Sequence, residues 1–214
     1  MWAAVEDIYA EIRRHPFLDG LTSGSLDTDV FGYYIVQDAH YLQAYARTLA
    51  VVGAKAPTSQ DSAMFARHAV GALEVELSLH ETLFEELGLE ASILESTPVG
   101  PTTRAYASYL LATAYSGSFA EGLAAVLPCY WVYARIGAAL VSQGSPDARY
   151  QRWIDTYADE AFATVVEEVL ALADRTGPSL SADERSRANT HFVTTTRYEW
   201  MFWDAAWRKE TWPP

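Results

Sequence analysis

The stretch "FGYYIVQDAHYLQAYAR" (31–47) contains the pattern that decides the fold. Its apolar and aromatic residues recur three and four positions apart, which is the spacing of one face of an α-helix. The stretch therefore predicts a helix with one buried side. That side carries Phe31, Tyr34, Ile35, Tyr41, Leu42 and Tyr45.

The same spacing extends along most of the chain, and we expect no β-sheet. Two predicted helices begin at capping boxes, Ser118 to Glu121 and Ser181 to Glu184, in which hydroxyl and carboxylate bond free backbone amides. The 214 residues, of which 50% are hydrophobic, predict a single all-α domain over 1–214 that folds as a compact multi-helix bundle. The helices are predicted over 2–14, 27–54, 59–87, 102–116, 119–143, 146–175 and 182–209.

Charge and hydropathy narrow the class of partner. The formal net charge of −13 repels nucleic-acid phosphates and anionic membrane surfaces, so neither is an expected partner. We find no uninterrupted apolar run of about 18 residues, and the first residues lack the layout of a signal peptide. The sequence therefore predicts a cytoplasmic protein that does not span a membrane.

Two carboxyl groups fall on apolar helix faces. Asp38 shares the face described above, and Glu199 in "RYEWMFWDAAW" (197–207) has aromatic residues one turn onward. A buried, ionised carboxylate is costly unless it is paired or hydrogen-bonded. One interpretation is structural, with Asp38 bonded to a tyrosine or a helix cap and Glu199 paired with Arg197 or Arg208. The other is that each carboxyl is held for a ligand.

The only cysteine lies in "AAVLPCYWVYARIG" (124–137). Pro128 lacks an N–H and crowds the carbonyl of Ala124, so we expect the helix to bend near Cys129. Cys129 shares a helix face with Val126, Tyr133 and Ile136. A buried thiol is either inert packing or, with a carboxylate near enough to take its proton, a nucleophile.

Four tyrosines, placed on predicted helices, could surround such a thiol. Their rings could stack on a flat polar ligand and their hydroxyls could orient it, although each could equally be a core residue. They are Tyr41, Tyr106, Tyr133 and Tyr157.

No metal site or cofactor is predicted. Di-iron helical bundles use paired Glu-x-x-His motifs, and this chain has none. In "EVELSLHETLFEEL" (74–87), Glu76, His80 and Glu81 are interpreted as part of a solvated acidic helix face. Glycine-rich phosphate loops, the G-x-S-x-G elbow and C-x-x-C are also missing.

Six stretches in this order and separation resemble the TenA/thiaminase II family over essentially the whole chain, and the cysteine resembles that of its cysteine-bearing branch. They are "HPFLDGLTSGSL", "FGYYIVQDAHYLQAYAR", "TTRAYASYLLATAYSGSF", "AVLPCYWVYARIG", "WIDTYADEAF" and "RYEWMFWDAAW". The resemblance implies a haem-oxygenase-like all-helical fold, a homotetramer and no cofactor.

The resemblance also implies a reaction in thiamin salvage. Enzymes of this family hydrolyse 4-amino-5-aminomethyl-2-methylpyrimidine (the aminomethylpyrimidine) to 4-amino-5-hydroxymethyl-2-methylpyrimidine (the hydroxymethylpyrimidine) and ammonia. They also split thiamin into the hydroxymethylpyrimidine and its thiazole. The substrate is therefore expected to be one of these small molecules.

The resemblance assigns roles to the residues singled out above. Cys129 matches the nucleophile that adds to the pyrimidine ring, Asp38 the carboxyl that bonds a ring nitrogen, and Glu199 the acid near the exocyclic amine. The tyrosines match ring-facing positions. Tyr106 matches a stacking wall, Tyr133 a neighbour of the thiol, and Tyr41 and Tyr157 hydrogen-bonding neighbours.

Two other classes stay open from the sequence. One is an oxidase on the same fold that depends on a metal or a quinone cofactor. The other is a binder of pyrimidines that has no catalytic activity.

Overall fold

The computed structural model describes residues 1–89 and 92–214, and for residues 75–81 it describes the backbone only. The described part of the chain contains α-helices and short 3₁₀-helices without any strand, which confirms the all-α prediction. The α-helices are α1 Glu6–Arg13, α2 Pro16–Ser23, α3 Thr28–Ala54, α4 Ser59–Leu87, α5 Ile93–Ser96, α6 Pro101–Ser116, α7 Phe119–Leu140, α8 Ala148–Ala158, α9 Glu160–Thr176 and α10 Ala182–Trp207. The 3₁₀-helices are Trp2–Ala4 and Gly177–Ser179.

Helix α7 is at the centre of the bundle. Helices α10, α8 and α9 pack on it, and α6 and α3 also contact it. Helix α3 packs along α4 and against α6. Residues of α3, α4, α7, α8 and α9 line a cavity, so the central helix forms part of its wall.

The composition of α7 follows from this central position. The helix has 22 residues and is apolar enough to cross a membrane, although no uninterrupted apolar run in the sequence indicated this. However, 67% of its most apolar 18-residue window is buried inside the protein, as expected of a core helix. Helix α7 continues through Pro128, and the bend near Cys129 stays a prediction.

The two predicted capping boxes are confirmed. The Ser118 hydroxyl accepts from the Glu121 amide at 3.3 Å, and the Glu121 carboxylate accepts from the Ser118 amide at 2.9 Å. Ser181 and Glu184 repeat this exchange at 3.3 and 2.8 Å. These boxes fix the first turns of α7 and α10. Cys129 lies further along α7, and Glu199 lies further along α10.

The prediction of one helix over 146–175 was wrong. The backbone of Asp159 is extended (φ −66°, ψ 141°), so the chain forms α8 and α9 on either side of it. The Asp159 carboxylate accepts a hydrogen bond from the Ala161 amide at 2.6 Å and caps α9. This side-chain bond competes with helix continuation, which the apolar periodicity alone does not reveal.

Helix α2 was also missed, and the first turn of the predicted helix 2–14 is a 3₁₀-helix. His15 caps α2, because its Nδ1 atom accepts a hydrogen bond from the Phe17 amide at 3.2 Å. Pro16 occupies the first helical position, where no amide donor is needed. With eight residues, α2 is too short to give a clear periodic signal.

Gly137 lets α7 approach the end of α8 closely. A Cβ atom at this position would overlap the carbonyl group of Tyr157 and lie 2.8 Å from the backbone nitrogen of Ala158. Backbone atoms at a helix end cannot move aside as a flexible side chain can. The absence of a side chain at Gly137 therefore sets the position of Tyr157, which lines the cavity.

We expect Gly137→Ala to lower the free energy of unfolding by about 1–3 kcal/mol, the usual cost of overpacking, and to displace Tyr157. Urea denaturation measures the change. Gly71→Ala on α4 is the matched control, because no described atom lies within 4 Å of its added methyl group. That variant gains helix propensity and should be at least as stable as the original protein. Equal stability of the two variants would contradict the role of the close approach.

Candidate active site

The cavity between α3, α4, α7, α8 and α9 has a volume of about 660 Å³. Five of the seven residues singled out in the sequence line it. Its floor is formed by side chains that are buried or half-buried, and its rim by more exposed residues of α4 and α9. The five predicted residues on its lining are Asp38, Tyr41, Cys129, Tyr133 and Tyr157.

The other two predicted residues, Tyr106 and Glu199, lie behind this lining. The Tyr106 ring packs 4.9 Å from the Tyr41 ring and stacks on Tyr198 at 5.1 Å, measured between ring centroids. The Tyr106 hydroxyl donates to Glu199 Oε1 at 2.6 Å. Tyr106 therefore supports Tyr41 and holds Glu199, and in this structure it does not line the described cavity.

The Cys129 thiol is half-buried on the cavity wall. Burial raises its pKa well above the usual range, and the nearby Glu199 and Asp38 carboxyls raise it further. The hydroxyls of Tyr41 and Tyr45 act in the opposite direction, because a nearby hydroxyl dipole stabilises the thiolate. The resting thiol is therefore protonated, and its use as a nucleophile requires a proton acceptor.

The Glu199 carboxyl is buried, with 1% of the residue exposed. Burial raises its pKa to about 8, the Tyr106 hydrogen bond lowers it, and the charge of Asp38 raises it. The carboxyl is thus mainly protonated at neutral pH. It can donate a proton there, as a general acid must.

Asp38 lies at the electrostatic centre of the site. Its residue is 5% exposed, and its carboxyl lines the cavity. It raises the pKa of Tyr34, Tyr133 and Tyr157 as well as that of Cys129 and Glu199. This one carboxylate therefore acts on three tyrosines, the thiol and Glu199, whereas the pKa values of Tyr41 and Tyr45 are raised by burial and by Cys129.

Aromatic hydroxyls form a network beneath the floor. The hydroxyls of Tyr34 and Tyr133 are 3.2 Å apart, and Trp153 Nε1 donates to the Tyr34 hydroxyl at 3.3 Å. The Tyr133 and Tyr157 rings are 4.7 Å apart. Sequence analysis treated Tyr34 as a core residue, although its position one helical turn before Asp38 could have indicated a role in the site.

The hydroxyl of Tyr41 is buried and makes no hydrogen bond of normal geometry with the described residues. Tyr41 lowers the pKa of the Cys129 thiol, and its side chain lies on the cavity wall. A buried hydroxyl without a partner is costly, and a ligand could satisfy it.

A second polar group on the cavity lining was missed entirely. His68 of α4 lies between the hydroxyl of Tyr130 and the carboxylate of Glu168. His68 has no partner motif nearby in the sequence, so spacing gave no signal for it. Only the folded chain brings these three residues, from α4, α7 and α9, together.

The described residues contain no group of three His, Cys, Asp or Glu side chains that could hold a metal ion. The side chains of Glu76, His80 and Glu81 lie outside the described residues, so their interpretation as a solvated acidic face stays a prediction.

Comparison with known proteins identifies the family. A profile described as the TENA/THI-4/PQQC family matches residues 2–209. The chain belongs to this family. The predicted resemblance to TenA proteins is thereby confirmed.

Related TENA/THI-4/PQQC proteins share both sequence and fold with this chain. An aminopyrimidine aminohydrolase of Bacillus subtilis (strain 168) is 35% identical over 198 residues, which cover 92% of this chain and 84% of that protein. A solved structure, a TenA homologue from P. horikoshii OT3, superposes with a TM-score of 0.88 at 32% identity, covering 96% and 95% of the two chains.

A more distant structure confirms the haem-oxygenase-like fold. It is a domain of unknown function from Shewanella denitrificans OS217 that has a heme oxygenase-like fold, with a TM-score of 0.75 and 16% identity. It covers 96% of this chain and 89% of that one. At this identity the likeness shows the fold alone.

The raised pKa of Glu199 predicts how stability depends on pH. Between the usual carboxyl pKa and about 8, the folded protein retains a proton that the unfolded chain has lost. This group therefore lowers the free energy of unfolding as pH rises through that range. In Glu199→Gln the amide cannot ionise and still accepts from Tyr106, so its melting temperature relative to the original protein should rise from pH 5 to pH 8.5.

Differential scanning calorimetry at several pH values measures this difference. Glu85→Gln, on the exposed side of α4, is the control and should show no such trend. A difference for Glu199→Gln that is constant across the pH range would show that this carboxyl does not hold its proton.

Proposed function

We propose that this chain is a hydrolase of thiamin salvage that uses Cys129 as its nucleophile. It converts the aminomethylpyrimidine and water to the hydroxymethylpyrimidine and ammonia, and it also splits thiamin. The observation that carries the proposal is that Cys129 and Asp38 line the same cavity, with Glu199 behind that lining. The 35% identity to an aminopyrimidine aminohydrolase supports the substrate class.

The floor of the cavity suits a flat heterocycle. Tyr41 and Tyr133 supply aromatic faces beside the thiol, and such faces bind a flat ring by offset stacking. Asp38 hydrogen-bonds a ring nitrogen in this proposal, and the unpartnered hydroxyl of Tyr41 gains a ligand atom. These contacts place a ring carbon against Cys129 Sγ.

The first chemical step is addition of the thiolate to the ring carbon beside the substituted one. The Asp38 carboxylate takes the proton of the Cys129 thiol as the carbon–sulfur bond forms, and it passes this proton to the ring nitrogen as the ring loses its aromaticity. Glu199 then protonates the departing amine, and the bond between the methylene carbon and the amine nitrogen breaks. Each proton transfer of this kind contributes about 10²–10⁴ in rate.

The second half of the reaction restores the enzyme. Expulsion of the amine leaves an exocyclic methylene group that is electrophilic, and water adds to it. Glu199 takes a proton from this water, and the carbon–sulfur bond breaks. The ring nitrogen returns its proton to Asp38, which passes it back to the sulfur. The thiolate leaves and the ring becomes aromatic again, so one difficult displacement is divided into two easier steps.

Cavity size supports a substrate larger than the aminomethylpyrimidine alone. The volume of about 660 Å³ is within the range of about 300–1,000 Å³ typical of ligand sites. It leaves room for a second ring attached to the methylene group. Thiamin therefore fits the proposal as well as the smaller pyrimidine does.

We expect Cys129→Ala to lose turnover by several orders of magnitude, because no other residue forms the covalent bond. The variant should still bind the hydroxymethylpyrimidine, since the carboxyls and tyrosines are unchanged. Mass spectrometry of the products from the aminomethylpyrimidine and from thiamin measures turnover, and isothermal calorimetry measures binding.

Several outcomes would contradict this proposal. Unchanged turnover in Cys129→Ala would rule out the nucleophile. Binding of the hydroxymethylpyrimidine without consumption of either substrate by the original protein would favour the non-catalytic binder instead. Turnover that depends on stoichiometric iron or a quinone in the purified protein would favour the oxidase.

Assembly and location extend the same proposal. We infer a homotetramer in the cytoplasm, as the resemblance and the composition predict. The exposed Trp207 and Trp212 near the end of the chain are compatible with an interface between subunits.

A further inference from the structure

The segment that follows α10, residues 208–212, turns back against the start of α6. Glu210 Oε2 accepts a hydrogen bond from the Thr102 amide at 2.9 Å. The backbone carbonyl of Glu210 accepts from the Tyr33 hydroxyl of α3 at 2.6 Å. One residue of this segment therefore joins α3 to the first turn of α6.

The Glu210 carboxylate supplies a cap that the local sequence of α6 lacks. The residue before the first turn is Gly100, which has no side chain to accept from a first-turn amide, and Pro101 has no amide to donate. Thr102 therefore carries the first free amide of the helix, and a carboxylate 108 residues away accepts from it. A negative charge at this end of a helix also complements the helix dipole.

Other contacts hold the loop before α6. The Gln37 side chain of α3 donates to the Pro98 carbonyl at 3.1 Å and accepts from the Gly100 amide at 2.8 Å. Trp212 Nε1 donates to the Val99 carbonyl at 2.8 Å. These bonds end at the loop, whereas the bond from the Glu210 side chain reaches the helix itself.

Helix α6 is bonded to α10 a second time at the active site. Tyr106 lies four residues after Thr102 on the same face of α6, and both residues are buried. The Tyr106 hydroxyl donates to Glu199 Oε1 at 2.6 Å. A shift of α6 that lengthens this bond by about 0.5 Å takes it beyond the usual O–H···O range of about 2.5–3.0 Å. The position of α6 therefore decides whether the bond forms.

We propose that Glu210 is a positioning residue for Glu199, because it caps α6 and thereby holds the Tyr106 hydroxyl against the Glu199 carboxyl. Glu210 contacts neither the substrate nor the reacting atoms. The inference rests on the proposed function for the role of Glu199 as the acid that protonates the departing amine.

The bond from Tyr106 controls how strongly Glu199 holds its proton. Burial raises the pKa of Glu199 to about 8, and the Tyr106 bond opposes this effect by stabilising the carboxylate. Loss of the bond makes Glu199 a weaker acid towards the amine. The titratable groups that interact with Glu199 come from α3, α6 and α7, and Tyr106 is the one that lowers its pKa. They are Tyr34, Asp38, Tyr41, Tyr106, Cys129 and Tyr133.

Infrared spectroscopy of the protonated carboxyl tests the proposal without requiring turnover. The carbonyl stretch of a protonated carboxyl disappears on ionisation, and the band that Glu199→Gln lacks belongs to Glu199. In the original protein its midpoint is expected near pH 8. In Glu210→Ala we expect a midpoint higher by about 0.4–1 pH unit, the equivalent of one hydrogen bond. Removal of a negative charge would by itself lower this midpoint, so the lost charge cannot explain a rise.

Two further variants identify the route of the effect. Glu210→Gln retains an oxygen that accepts from the Thr102 amide, so its midpoint should return towards that of the original protein. Tyr106→Phe removes the hydroxyl and should raise the midpoint at least as much as Glu210→Ala. The double variant should have the midpoint of Tyr106→Phe alone, because Glu210 acts through that hydroxyl.

Lys209→Asn is the matched control within the same segment. Lys209 pairs with Asp29 at 3.7 Å and has a left-handed backbone conformation (φ 46°), which asparagine tolerates. The substitution removes a contact between the segment and α3 and leaves the cap on α6, so the midpoint should not change. Circular dichroism and thermal denaturation establish that each variant is folded.

An unchanged midpoint in Glu210→Ala or in Tyr106→Phe would overturn the proposal. A further rise when the two are combined would do so as well, because Glu210 would then act by another route. A shift in Lys209→Asn equal to that in Glu210→Ala would attribute the effect to displacement of the whole segment and would also overturn it. Failure of the proposed function is a separate result, namely retained turnover in Cys129→Ala.

Discussion

The site depends on the burial of ionisable groups that raise one another's pKa. Asp38 raises the pKa of both Glu199 and Cys129, and Glu199 raises that of Cys129 again. Loss of a proton from one group therefore opposes loss from the next. Tyrosine hydroxyls provide the opposing effect, from Tyr106 on Glu199 and from Tyr41 and Tyr45 on Cys129. The fold therefore controls how many protons Asp38, Glu199 and Cys129 hold together.

Aromatic packing maintains that control. The Tyr41 ring is 4.9 Å from Tyr106 and 5.4 Å from Tyr45, and the Tyr133 ring is 5.1 Å from Trp203. Rings in contact exclude water, and a low local dielectric strengthens each charge and each hydrogen bond at the floor of the cavity. Several of these rings belong to tyrosines, whose hydroxyls are hydrogen-bond donors. A single set of side chains therefore both excludes water from the site and supplies its hydrogen-bond donors.

The sequence was sufficient to predict the long helices and most of the cavity floor. Helix period alone placed Asp38 on an inward face, and the structure puts it beside Cys129 on one cavity. The break at Asp159 was missed because a local side-chain cap overrides periodicity. His68 was missed for a different reason. Its hydrogen-bond partners are Tyr130 and Glu168, which are 62 and 100 residues away in the sequence. A local sequence pattern cannot predict contacts at that separation.

Helix geometry explains why the floor of the cavity is more regular than its rim. Helix α7 carries Cys129, Tyr133 and Gly137 at intervals of four residues. The distance along the helix from the first to the last is about 12 Å, at 1.5 Å per residue. This one face holds the thiol, an aromatic wall and the contact that sets Tyr157. On α3, Asp38, Tyr41 and Tyr45 occupy a similar face. Side chains on rigid helices are held more accurately than those on loops, so the ring-binding floor is preorganised. The rim instead includes Asp159, where the helix breaks, and exposed residues of α9. The fixed part of the cavity therefore meets the reacting ring, and the less regular part meets whatever projects from it.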